Sequence, residues 1–174
     1  MNMIPDMYQK DIFHINYQNL KKMGITCLIF DLDNTLALIS EKECPEKVRE
    51  LIKNLQEDFL IIIISNNTRR RIEPYKRVLG IDAVSFAMKP FTRGLRKIRH
   101  MYNLKKKEMV MIGDQLVTDV LSAKKFRIKA ILVDPLGDAD LKITSLNRKI
   151  EKKILNHYHK RNVFERGKYY DKKM

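Results

Sequence analysis

The sequence predicts an α/β fold, a three-layer sandwich with helices covering both faces of a mostly parallel sheet. Three observations lead there. Five short apolar runs recur along the 174 residues. The runs are continuous and rich in β-branched residues rather than alternating, as expected of strands covered on both sides. Between them lie polar stretches long enough to serve as crossover helices.

Taken in order, the first strand is "ITCLIFDLD" (25–33), followed by the helical stretch "PEKVRELIKNLQ". The second strand, "FLIIIIS" (59–65), leads into "TRRRIEPYKRVL", and the third, "AVSFA" (83–87), into "TRGLRKIRHMYN". The fourth, "EMVMIGD" (108–114), precedes "TDVLSAKKF", and "KAILVD" (129–134) is the fifth. After Pro135 the segment "LGDAD" reads as a loop. A last helix then carries Ile143, Leu146, Ile150 and Ile154 at spacings of three and four, an apolar stripe. This length suits one domain with a full core, so 1–174 is predicted to be a single unit ending in a basic helix and tail over 141–174.

Composition narrows the class. Hydrophobic residues make up 44% and charged residues 32%, and no apolar run approaches the roughly 20 residues of a membrane span. The start, "MNMIPDMYQKDIF", lacks the basic-then-apolar pattern of a secretory signal. Two cysteines, Cys27 and Cys44, make no disulfide framework, so a reducing cytoplasm is expected. The formal charge is +14, and residues 141–174 hold 11 Lys/Arg against 3 Asp/Glu. Such an excess fits an anionic partner, whether nucleic acid, a membrane face or a phosphorylated substrate. A lysine-rich, merely solvated tail fits it equally. The apolar stripe likewise reads two ways, as packing on the domain or as a helix lying on a membrane surface.

The chemistry gathers where strands end. Four predicted strands finish in polar residues: Asp31 and Asp33, Ser65 with Asn66, Lys89, and Asp114. In an open parallel sheet joined by right-handed crossovers, these ends share one edge, where ligands bind. Asp31 and Asp114 can share a divalent cation there, with Lys89 neutralising charge beside them. A hard ion such as Mg²⁺ favours oxygen ligands and keeps waters that a phosphate oxygen can replace.

"DLDNT", "SNN", "KP" and "GDQLVTD", in this order, resemble the four motifs of the haloacid dehalogenase (HAD) superfamily of phosphatases. The resemblance implies a HAD-like, Rossmannoid sheet. It makes Asp31 the nucleophile, forming an aspartyl-phosphate, and Asp33 the general acid and then base. Ser65 and the Asn66 backbone would bind the phosphoryl group, Lys89 would balance its charge, and Thr35 would support the loop. Asp31, the Asp33 backbone carbonyl and Asp114 would hold Mg²⁺, with Asp119 orienting the site from behind. Bacterial receiver domains use similar parts, but there Lys-Pro follows the last strand. Here it precedes the "GD" strand.

Caps of large HAD enzymes insert between the first three motifs. The 34 positions from Asp31 to Ser65 and the 24 from Ser65 to Lys89 are already filled by elements the sheet needs, so no cap domain is expected. No zinc loop is expected either, with only two distant cysteines and scattered histidines. "PDMYQKDIFHINYQNLKKMGITCLIFDLDNTL", "VMIGDQLVTDVLSAKKFRIKAILVDPL" and "LNRKIEKKIL" extend the likeness to the YqeG family of HAD-IIIA phosphatases. That family is similar to the mitochondrial phosphatidylglycerophosphate phosphatases. The implied reaction removes the terminal phosphate of phosphatidylglycerophosphate in phospholipid biosynthesis, with the basic C-terminus touching the inner membrane face. A soluble metabolite phosphate, a nucleic-acid phosphate and a non-catalytic scaffold binding an anionic partner remain alternatives. The chain shows no interleaving of basic and aromatic residues to favour nucleic acid. "LIS" after the first motif replaces a more polar, Trp-containing stretch of the family, which bears on leaving-group contacts.

Overall fold

The computed structural model describes residues 3–137 and 142–171. Seven strands form one sheet in the order β4-β3-β2-β5-β6-β1-β7. They are β1 (Met7–Gln9), β2 (Cys27–Phe30), β3 (Leu60–Ile64), β4 (Asp82–Val84), β5 (Met109–Gly113), β6 (Lys129–Val133) and β7 (Tyr170–Asp171). All neighbouring pairs are parallel except β1 with β7. The helices are α1 (Tyr17–Lys22), α2 (Glu46–Leu55), α3 (Arg69–Leu79), α4 (Arg93–Met101), α5 (Leu121–Phe126) and α6 (Lys142–Lys160). A π-helical turn, Leu116–Val120, runs directly into α5.

Because successive strand residues point to opposite faces, β2 feeds two cores. Leu28 and Phe30 join a cluster with Leu20, Ile52 and Tyr75 from α1, α2 and α3. Cys27 and Ile29 join one with Ile98, Phe126 and Leu155 from α4, α5 and α6. Both faces are covered, which is why the strands read as continuous apolar runs. The predicted three-layer α/β sandwich is the observed one. Between Asp31 and Lys89 the chain builds only α2, β3, α3 and β4, so no cap domain is inserted.

Three differences from the sequence reading have physical causes. Strands β1 and β7 are three and two residues long, too short to show a period, and exist because β6 presents an edge to β1. The third predicted strand stops at Val84 rather than Ala87. Beyond it Phe86 and Met88 have φ of 48° and 55°, a left-handed backbone that cannot continue a ladder. Pro90, whose fixed φ suits the first turn of a helix, does not open the next one: the Lys89–Pro90 peptide is cis, and α4 begins at Arg93.

Among the described side chains of the predicted stripe, Ile154 is half-buried while Ile150 does not face the domain. Ile143 and Leu146 have side chains outside the described residues. Ile150 is exposed, and Glu151 next to it is buried. Leu155 and Tyr158 pack on the core below it. The chain then returns to lay Phe164 against the buried Tyr8, ring centroids 5.2 Å apart, before β7 pairs with β1. The tail is therefore part of the core. Phe164→Ala should cost about 3–5 kcal/mol of unfolding free energy in urea titration, whereas a solvated tail would give no change.

Candidate active site

Strand order places the site. From β2 the chain moves outward through β3 and β4, then crosses back so that β5 lies on the other side of β2. The crevice at the carboxyl ends of β2 and β5 is thus the switch point where open α/β sheets bind ligands. Asp31 and Asp33 follow β2, Ser65 follows β3 and Asp114 follows β5. Lys89 arrives on the loop after β4.

Lys89 is the centre. Its Nζ is 2.6 Å from Asp31 Oδ1 and 2.6 Å from Asp119 Oδ1, and it also donates to the Ile64 carbonyl at 3.3 Å. All three side chains are buried. Burial alone would lower the ammonium pKa, but the Asp119 and Asp31 carboxylates outweigh it and hold Lys89 above its ordinary value. Lys89 is therefore a fixed positive charge. Burial pushes the Asp31 carboxyl well up; Lys89 opposes this, and the charges of Asp119 and Asp114 reinforce it.

Asn66 explains how a lysine on a loop is held in place. Its side-chain carbonyl accepts from the Lys89 backbone N–H at 2.6 Å, and its amide donates to the Lys89 carbonyl at 3.0 Å. Ser65 is buried, and its Oγ accepts from the Asn67 N–H at 3.0 Å. Thr35, expected to support the loop, reaches across the switch point: its hydroxyl lies 3.3 Å from Asp114 Oδ1. Asn34 makes the turn itself, with φ of 63° and its N–H on the Ala37 carbonyl at 2.7 Å.

Asp31, Asp114 and Asp119 each offer a carboxylate oxygen within 4.8 Å of the others. One ammonium faces three carboxylates, so the group carries excess negative charge in a buried place, and its donors are all hard oxygens. That set fits a divalent cation of the oxygen-seeking kind. Both oxygens of Asp119 are engaged, Oδ1 by Lys89 and Oδ2 by the Gln115 N–H at 3.1 Å. Burial pushes the thiol of Cys27 up to about 12 and that of Cys44 up to about 11, so neither is a ready nucleophile.

Residues 11–127 match the haloacid dehalogenase-like hydrolase family. The chain belongs to that family. It is 36% identical over 154 residues to "Probable phosphatase YqeG" of Bacillus subtilis, covering 88% of this chain and 90% of the relative. It is 24% identical over 143 residues to "Phosphatidylglycerophosphate phosphatase 1, chloroplastic" of Chlamydomonas reinhardtii, covering 76% of this chain and 53% of that protein. A solved deoxy-D-mannose-octulosonate 8-phosphate phosphatase from Haemophilus influenzae shares the fold. Its TM-score is 0.51 at 17% identity, with 83% of this chain and 95% of that one covered. Family membership and the 36%-identical relative make the chain a phosphatase.

Three residues of this phosphatase's site were not legible beforehand. Arg71 donates from Nε to Asp33 Oδ1 at 2.9 Å, while Asn67 donates to Asp33 Oδ2 at 3.2 Å. A second arm of Arg71 holds the Leu38 carbonyl at 3.0 Å. Three consecutive arginines begin α3, and at 100° per residue only one can face the crevice; the sequence does not say which. Glu151 is the third. From α6 its Oε1 accepts the Leu116 N–H at 3.2 Å, at the start of the turn that carries Asp119. Arg166 Nη2 completes that contact at 2.9 Å.

Gly113, at the end of β5, is required by closeness rather than by φ. A Cβ there would lie 2.4 Å from the Asp119 carboxylate. Gly113→Ala should destabilise the fold by about 1–3 kcal/mol. It should also shift Asp119 away from Lys89, which a loss of divalent-cation affinity in calorimetry would register.

Proposed function

We propose that the chain is a Mg²⁺-dependent phosphomonoesterase that works through an aspartyl-phosphate on Asp31, with phosphatidylglycerophosphate as its substrate. One observation carries the mechanism: the buried Asp31–Lys89 pair at the switch point, with the Arg71-held Asp33 two residues along the same loop.

Lys89 keeps the Asp31 carboxylate and an incoming phosphate from repelling each other, a role for a fixed charge in a dry site. An oxygen of Asp31 attacks phosphorus and the ester bond breaks. Asp33 gives its proton to the departing oxygen. Water then attacks phosphorus, Asp33 takes its proton, and phosphate leaves with Asp31 restored. Arg71 and Asn67 fix the two Asp33 oxygens throughout. Ser65 and the Asn66 backbone receive the phosphoryl oxygens, and Thr35 steadies Asp114. Mg²⁺, held by Asp31, Asp114 and the Asp33 backbone carbonyl, would neutralise charge on the transferring group. Asp119 orients Lys89 rather than ligating.

The substrate reading rests on two relatives named as phosphatidylglycerophosphate phosphatases and on an edge that no cap covers. A phosphate on a lipid head group needs such an open edge. None of the described helices is long and apolar enough to cross a membrane. The contact proposed with the inner membrane face is peripheral, with the exposed Lys149, Lys152 and Lys153 of α6 supplying electrostatic attraction to anionic lipid.

The deciding experiment offers the purified protein phosphatidylglycerophosphate, para-nitrophenyl phosphate and a 5′-phosphorylated oligonucleotide in parallel. Preference for the lipid is expected; preference for either other substrate overturns the lipid reading. Asp31→Asn should lower turnover by roughly three orders of magnitude or more. Asp33→Asn should lower it about a hundredfold or more while phosphate-analogue binding survives. Wild-type rates in Asp31→Asn would sink the covalent route.

Metal dependence is separately testable. Chelation should remove activity, and Mg²⁺ but not Zn²⁺ should restore it. Asp114→Ala should weaken Mg²⁺ binding in calorimetry far more than Asp119→Ala does. Full activity in excess chelator would refute the site.

A further inference from the structure

We infer that the loop between β4 and α4, residues 85–92, is the seat by which the catalytic edge rests on an anionic lipid surface. This deepens the lipid reading above and rests on it for its choice of substrate. Three large apolar side chains stand out from this loop: Phe86 is 62% exposed, Met88 57% and Phe91 64%. Between them Ala87 and Lys89 are buried. The loop thus alternates, sending Ala87 into the core and Lys89 into the site while Phe86, Met88 and Phe91 face solvent.

The backbone makes this an unlikely by-product of folding. Phe86 and Met88 both sit in the left-handed region, where a bulky residue is a true outlier and glycine is the ordinary choice. The fold bears strain at two positions and receives no burial of those side chains in return. Such strain is characteristic of binding segments.

The loop is also joined directly to the site. Phe86 N–H donates to the Asn67 carbonyl at 3.1 Å, and Asn67 holds Asp33. Met88 adjoins Lys89, and its carbonyl accepts the Phe91 N–H at 2.8 Å. On the far side of the crevice Leu136, whose N–H bonds the Asn34 carbonyl at 3.0 Å, is exposed as well. Apolar side chains therefore flank a polar crevice on both sides.

Charge selects the occupant. Residues 65–104 hold 10 Lys/Arg against 2 Asp/Glu, of which Lys76, Arg77 and Arg99, in the last turns of α3 and α4, lie away from this edge. The exposed Arg70 and Arg93 lie at the starts of α3 and α4, at the same edge as the loop. A second copy of the chain would bring the same positive charge to this face and repel it. An anionic bilayer accepts both features, the apolar side chains among its acyl chains and the arginines at its phosphates. Lipid phosphates then stand at the depth of the crevice mouth. The basic face of α6 contributes long-range attraction, while this loop sets the orientation.

The chain contains no tryptophan, so Phe86→Trp gives a single fluorescent reporter. Vesicles of phosphatidylcholine with phosphatidylglycerol should shift its emission to the blue, and phosphatidylcholine alone should not. A second variant, Phe86→Asn with Phe91→Ser, should bind the mixed vesicles about tenfold more weakly or worse for each phenylalanine lost. It should retain para-nitrophenyl phosphate turnover. An unshifted emission, or full vesicle binding by the double variant, overturns the seat. So does a blue shift that needs only higher protein concentration, which would assign the loop to self-association. The two readings fail separately. Insertion without hydrolysis of phosphatidylglycerophosphate refutes the lipid substrate and leaves the seat. Hydrolysis of that lipid in detergent micelles without insertion refutes the seat and leaves the substrate.

Discussion

One buried ammonium organises this molecule's functional edge. Lys89 reaches Asp31 from the loop after β4 and Asp119 from the turn after β5, so it ties together segments far apart in sequence. Removing three charged groups from water costs several kcal/mol each, and only close geometry with further hydrogen bonds repays it. The supporting contacts are present: Asn66 clamps both sides of the Lys89 backbone, and Gln115 holds the other oxygen of Asp119. Gly113 leaves the space that Asp119 occupies. The excess of carboxylate over ammonium then remains as the driving force for taking up a cation.

The C-terminal segment belongs to the same construction. Glu151 reaches from α6 to the turn that carries Asp119, and Arg166 holds Glu151 there. Arg166 also faces Asp134, 3.9 Å away, and Asp134 accepts hydrogen bonds from Tyr8 and Tyr169. Through these contacts segments near the two ends of the chain are tied beside the turn that carries Asp119. What composition shows as a basic tail is, in space, a brace with a charged outer surface. Both roles fit one helix, because its buried face carries Glu151, Leu155 and Tyr158 while Lys152 and Lys153 point outward.

The open edge carries the complementary property. With no cap, exclusion of water during phosphoryl transfer must come from whatever meets the edge. A rim of exposed Phe86, Met88 and Phe91, with the exposed Arg70 and Arg93 at the same edge, suits a surface that is apolar inside and anionic outside. On the proposed reading, the buried Lys89 and the exposed side chains beside it would serve charge balance and surface contact from one short loop.

Much of this was written locally. Continuous apolar runs reported strands covered on both faces, and polar residues at their ends reported the site, because both signals lie within a few consecutive residues. That is why Asp31, Asp33, Ser65, Lys89 and Asp114 could be placed at one edge from sequence alone. The edge strands β1 and β7 were invisible, being too short to have a period and stabilised only by a partner across the chain. Which of Arg69, Arg70 and Arg71 holds Asp33 depended on the rotation of α3 about its axis, fixed by packing of Ile72, Tyr75 and Leu79 in the core. Glu151 looked like one more charge on a basic helix until packing turned it inward. The sequence by itself determined the strand-end chemistry, since covalent spacing sets which groups share a loop. Only the tertiary structure decided which distant groups orient that chemistry, since their alignment exists only once the layers have packed.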